Sequence, residues 1–108
     1  MARSYEQGCP IARTLDIIGE RWTLLILRDL LLFGKTKFSE LQESLPGIPA
    51  RVLSDRLKKL EANALIEREV YSEHPLRAGY RPTEKARSLK PVLGALAAWG
   101  TEHRPSEQ

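Results

Sequence analysis

Cysteine is nearly absent from this chain of 108 residues: Cys9 is the only one, which excludes an internal disulfide framework. Histidine is almost as scarce. His74 and His103 are the only two, and nothing around them has the spacing of a zinc site. No apolar run is long enough to cross a bilayer; the nearest, TLLILRDLLLF from Thr23 to Phe33, is short and broken by Arg28 and Asp29. The opening MARSYEQGCP lacks the charged-then-apolar order of a secretory signal, so the expectation is a cytoplasmic protein with no membrane partner. The chain has no internal repeat and no low-complexity tract. The residues outline no nucleophile–base pair, metal cluster or phosphate loop, so neither enzymatic activity nor a cofactor is expected.

The length suits one domain with one core over residues 1–108. Net charge is +3 and the pI is about 9.2, which fits a polyanionic partner but matters less than where the charge sits. Pro10 suits a first helical turn with Cys9 as its N-cap; Ile11, Leu15 and Ile18 follow at helical spacing, and Gly19 ends the segment. A second helix is predicted from about Glu20 to Phe33. Trp22, Leu25, Ile26, Leu30 and Phe33 form its apolar face, and Leu24, Leu27, Leu31 and Leu32 widen it until the helix reads as a central one. KTKF is an extended link, and Ser39 is expected to cap the brief helix SELQESL. PGIP, with Pro46 and Gly47, is a tight turn, and Pro49 can open the next helix.

That helix, to about Ala62, has two faces. Leu53, Leu57 and Leu60 share the core side, while Arg51, Val52, Asp55, Lys58 and Lys59 point the other way. Asn63 is expected to be its left-handed C-cap. The alternation in LIEREVY and the second short strand AGYRP make a hairpin around the polar SEHPLR. Thr83 caps a last helix to about Glu102, with Pro91 placed to kink or divide it. The order is helix, long helix, short helix, tight turn, helix, hairpin, helix. The fold class expected is mainly α with a small β-hairpin: a helix-turn-helix at about 39–62 and a wing at about 65–82. Helices at about 10–19 and 84–102 flank them.

Four blocks then carry a resemblance. The chain reads CPIARTLDIIGERWTLLILRDLL, then KFSELQESLPGIP, then LSDRLKKLEANALIEREVY, then YRPTEKARSLKPVLGALAAWG. In this order and with short gaps they are similar to the HxlR-type winged helix-turn-helix transcriptional regulators, relatives of the MarR group, over nearly the whole chain. Four positions depart from that pattern. Pro49 stands where a capping serine is usual, Ala64 and Ala86 stand at usual glycines, and Glu20 replaces a glycine near the tryptophan.

A helix-turn-helix places the start of its second helix in the major groove. The residues there are Pro49, Ala50, Arg51, Val52, Ser54 and Asp55. Arg51 is the candidate for direct readout because its planar fork matches O6 and N7 of guanine. Ala50 and Val52 suit a thymine methyl, and Asp55 either a cytosine amine or the orientation of Arg51. Arg56, Lys58 and Lys59, with Lys35 and Lys37 just before the motif and Ser39 at the cap of its first helix, are candidates for phosphate contact. On the wing, Arg77 and Arg81 are the candidates for a narrow minor groove, with His74 and Pro75 beside them at the tip.

Ile11, Leu15, Ile18, Leu89, Val92, Leu93, Leu96 and Trp99 offer more apolar surface than one small core needs, so they are expected to form a homodimer interface. Cys9 at a helix N-terminus is a candidate thiolate sensor, as the resemblance also implies, and an oxidant or small molecule is a candidate effector. The reading is a dimeric, sequence-specific regulator of double-stranded DNA on a pseudo-palindromic operator, a repressor by family habit. The alternatives are a thiol-based redox or electrophile sensor and a winged-helix module that binds protein.

Overall fold

The computed structural model describes residues 8–73 and 76–106. Its elements are α1 (Pro10–Ile18), α2 (Arg21–Leu31), α3 (Phe38–Ser44), α4 (Ala50–Ala62), β1 (Ile66–Glu73), β2 (Leu76–Pro82), α5 (Glu84–Arg87) and α6 (Lys90–His103). Mainly helical, with one antiparallel hairpin, this is a winged helix-turn-helix. Among the described residues no helix is long and apolar enough to cross a membrane.

Helix α2 runs through the middle. Its Ile26, Leu27, Leu30 and Leu31 are buried with Leu41 and Leu45 from α3 and the residue after it, Leu53, Leu57 and Leu60 of α4, and Ile66 of β1. The apolar run promises still more burial than occurs. Leu32 is the C-cap of α2, Phe33 lies beyond it, and both side chains are about half exposed. The Arg28 guanidinium covers the Phe33 ring from 5.0 Å. Conversely, Asp29 is wholly buried; its Oδ1 accepts from Arg28 Nε at 2.9 Å, while Oδ2 has no hydrogen-bond partner among the described residues.

The turn between α3 and α4 follows from its residues. Ile48 N–H donates to the Leu45 carbonyl at 3.1 Å, with Pro46 second in the turn and Gly47 third at φ +88. Glycine suits the third position of a type II turn, which requires positive φ. Leu45 and Ile48 are both buried, so the core holds the turn at each end.

The start of α3 corrects one expectation. Ser39 lies inside the helix; the N-cap is Lys37, and Glu40 reaches back to accept from the backbone N–H groups of Thr36 (2.9 Å) and Lys37 (3.1 Å). Those two bonds hold the Glu40 carboxyl below the ordinary glutamate value. The extended link also joins the wing. Tyr80 N–H donates to the Thr36 carbonyl at 2.7 Å, and Lys37 bridges to Gly79. A Cβ on Gly79 would lie 3.2 Å from that same carbonyl oxygen, so this close approach favours glycine. The second strand is longer than AGYRP, running in register from Glu73↔Leu76 to Ile66↔Pro82 with an irregularity at Tyr71.

The C-terminal helix is divided, as Pro91 allows. Thr83 Oγ1 accepts from Ala86 N–H and caps α5, and α6 begins after Ser88–Leu89 with Pro91 in its first turn. There its missing N–H breaks no helical bond.

The end of α4 corrects a second expectation. Asn63 is not left-handed (φ −93); Ala64 is, at φ +60. Leu65 N–H donates to the Leu60 carbonyl (2.9 Å) and Ala64 N–H to the Glu61 carbonyl (3.0 Å), the bond pair of a Schellman motif. Leu60 and Leu65 are both buried, so packing holds an alanine in a conformation that favours glycine. Ala64→Gly is therefore expected to stabilise the chain by roughly 0.5–1 kcal/mol, the relieved strain being partly offset by glycine's entropy. Urea unfolding checks it: the midpoint should rise at constant slope, and a lower midpoint would contradict the strain at Ala64.

Candidate nucleic-acid interface

The first turn of α4 emerges directly from the Pro46–Gly47 turn. Pro49 is its N-cap and makes no side-chain cap bond, as a proline must. Pro49, Ala50 and Arg51 are exposed. Among the described residues no hydrogen bond or ion pair engages the Arg51 side chain, so its guanidinium fork is available. Ser54 is partly covered and Asp55 is exposed. Val52 is not part of the open face: it is half-buried and packs against the core, so it cannot present its full side chain to a base. Asp55 does not orient Arg51 either; its Oδ2 takes Arg56 NH1 at 2.7 Å and lies 3.7 Å from Lys59 Nζ.

Arg56 differs most from its expected role. Its side chain is 22% exposed, and its Nε donates to Glu20 Oε1 at 2.9 Å. Glu20 is the N-cap of α2 and also accepts from Thr23 N–H at 3.0 Å and Thr23 Oγ1 at 3.2 Å. Partial burial works against the Glu20 charge, but the Arg56 and Thr23 hydrogen bonds prevail and hold its carboxyl below the ordinary value. The same bond with Glu20 raises the Arg56 pKa. Lys58 and Lys59 are exposed farther along α4.

On the wing, Arg77 is exposed, and among the described residues no side chain pairs with it. Arg81 does not stand free. NH2 bonds Glu67 at 2.7 Å and NH1 bonds Glu69, and the Glu67 bond leads the causes that raise its pKa. The wing-tip His74 and Pro75 lie outside the described residues. Ser39 is exposed in the first turn of α3, and Lys37 beside it places its Nζ 5.1 Å from the centre of the Tyr71 ring. The sequence assigns neither Tyr71 nor Glu20 a contact with these cations. Glu20 lies 36 residues from Arg56, and no periodicity joins positions that far apart.

The apolar surface expected at a dimer interface divides in two. Ile18 and Leu93 are buried in the core of the single chain, and Leu89 is half-buried against it. Ile11, Leu15, Val92, Leu96 and Trp99 remain exposed, Ile11 at 71% and Trp99 at 63%. Cys9 is exposed at the N-cap of α1 with no side-chain cap bond.

Known proteins share this arrangement. Residues 17–108 match the model of the HxlR-like helix-turn-helix family. The chain is 42% identical over 95 residues to the uncharacterized HTH-type transcriptional regulator YvaP of Bacillus subtilis (strain 168), covering 87% of each chain. The redox regulator HypR in its oxidised form is similar at a TM-score of 0.80 with 35% identity, over 89% of this chain and 98% of that one. The reduced form of the transcriptional regulator YodB from B. subtilis is similar at 0.73 with 35% identity, over 92% and 98%. With its helix-turn-helix, the paired wing that follows and the matching blocks, the chain belongs to the HxlR-type winged helix-turn-helix transcriptional regulators.

Proposed function

We propose that this protein is a sequence-specific DNA-binding repressor that works as a homodimer on a pseudo-palindromic operator. The observation that carries the reading is the open start of α4. Arg51 is exposed and unengaged among the described residues, and no side chain caps the helix N–H groups beside it. A helix start of this kind suits acceptors on bases and phosphates. Arg51 reads a base edge, and Ala50 packs beside it. Lys58 and Lys59 hold phosphates, and Arg77 reaches from the wing. Exposed aromatics would suit a protein-binding face, whereas α4 offers arginine at its start and lysines farther along.

The dimer follows from solvation. Five large apolar side chains on α1 and α6, namely Ile11, Leu15, Val92, Leu96 and Trp99, are left in water by the single chain. A second copy covers them by two-fold symmetry and sets two recognition helices about 34 Å apart, one turn of DNA.

A second reading concerns Cys9. It is exposed at the N-cap of α1, the helix that carries Ile11, and a similar solved protein is a redox regulator in its oxidised form. With one cysteine per chain, a disulfide here joins two subunits or captures a small thiol. Either product would alter the α1 surface that the dimer uses.

Three measurements test these roles. Fluorescence anisotropy with operator and shuffled duplexes should show Arg51→Ala losing about 1–3 kcal/mol of specific binding. Lys58→Ala should instead weaken both duplexes alike and flatten the salt dependence; equal losses for Arg51→Ala on both would reduce Arg51 to a phosphate contact. Leu96→Glu should give monomers in sedimentation equilibrium, and a dimer of unchanged affinity would place the interface elsewhere. Cys9→Ser should abolish any loss of DNA binding caused by a mild thiol oxidant; an unchanged response would exclude Cys9 as the sensor.

A further inference from the structure

Glu20 and Arg56 connect the beginning of the central helix to the middle of the DNA-facing one. Glu20 Oε1 accepts from three donors: Thr23 N–H, Thr23 Oγ1 and Arg56 Nε. The first two fix the carboxylate at the start of α2, and the third draws the Arg56 guanidinium down against it. Asp55 takes the other side of that guanidinium and lies near Lys59. Within this group two carboxylates stand against two cations, so the middle of α4 carries less positive potential than the residues of α4 alone suggest.

We infer that Glu20 is a positioning residue that withholds Arg56 from DNA and pins α4 to the start of α2, so that the chain binds DNA through fewer phosphate contacts than its arginines and lysines would allow. The inference rests on the proposal that α4 faces DNA. The physical argument is competition. A phosphate could take Arg56 only by displacing a carboxylate already held by two other hydrogen bonds, and Arg56 would have to leave a largely covered position. Lys58, exposed on the same helix, has no such restraint. The consequence is selectivity. Each phosphate contact strengthens binding to every sequence alike, so withholding one lowers non-specific affinity while leaving the base contacts of Arg51 in place.

The test is the salt dependence of binding to a shuffled duplex and to the operator. Glu20→Gln is the informative variant, because its amide oxygen can still accept from Thr23 while the charge that holds Arg56 is removed. Each protomer should then gain about one counterion released, steepening the slope of log K against log salt by about 0.9. That amounts to an extra loss of about threefold per protomer between 50 and 200 mM salt. Affinity for the shuffled duplex at 50 mM salt should rise and the specific-to-shuffled ratio should fall. Arg56→Gln alone should leave the wild-type slope unchanged, and Glu20→Gln/Arg56→Gln should restore it. A merely structural role for Glu20 would shift the urea midpoint without moving the slope, and that result would overturn the inference. A slope flattened by Arg56→Gln alone would also overturn it, since Arg56 would then already contact phosphate, while the DNA-binding reading would stand. Failure of the wild type to bind any duplex at low salt would overturn both.

Discussion

Helix α2 touches α3, α4, α5 and β2, and the burial of its apolar side chains is the constraint on which the other elements depend. A buried leucine or isoleucine contributes roughly 1.5–3 kcal/mol, and α2 supplies four that are wholly or nearly wholly covered. The elements around it would not persist alone. The 13-residue α4 carries charged or polar residues on much of its surface, and an isolated helix of that length is marginal in water. It exists because Leu53, Leu57 and Leu60 have α2 to pack against. The face opposite those leucines is left free for function because it contributes little to that packing.

Charge is arranged by the same scaffold. The net +3 understates how unevenly the cations are used. Arg28 is paired with Asp29, Arg56 with Glu20 and Asp55, Arg81 with Glu67 and Glu69, and Arg87 with Glu84. Arg51, Lys58 and Arg77 project without a partner among the described residues. Most of the paired groups are substantially exposed, where an ion pair stabilises a fold only slightly. Their larger effect is to determine which cations stay available to a polyanion and in which direction they point.

Two kinds of surface are left to solvent. One comprises the open start of α4 and the wing. The other presents the apolar side chains of α1 and α6, with Leu96 and Trp99 on α6 and Ile11 on α1 left to solvent. In a two-fold dimer the apolar side fixes the spacing of the basic side, so stability and recognition would be coupled through geometry rather than through shared residues.

What the residues determine by themselves is local. Pro46–Gly47 makes its turn, Thr83 caps α5, Pro91 divides the last helix, and the leucines of α4 face the core. Each of these depends on sterics or hydrogen bonds within a few positions, so periodicity and turn chemistry reveal it. The tertiary structure decided the rest. Ala64 rather than Asn63 takes the left-handed turn, because the burial of Leu60 and Leu65 selects the residue between Asn63 and Leu65. Asp29 is covered while Phe33 is exposed, because the helix ends before Phe33 can reach the core. Ile18 and Leu93 close the core, although their periodicity matches that of the surface residues beside them. Arg56 and Arg81 find carboxylates that no short-range pattern assigns to them. Ion pairs and burial join residues that the chain separates widely, so which arginine faces solvent becomes defined only once α4 and the wing have docked.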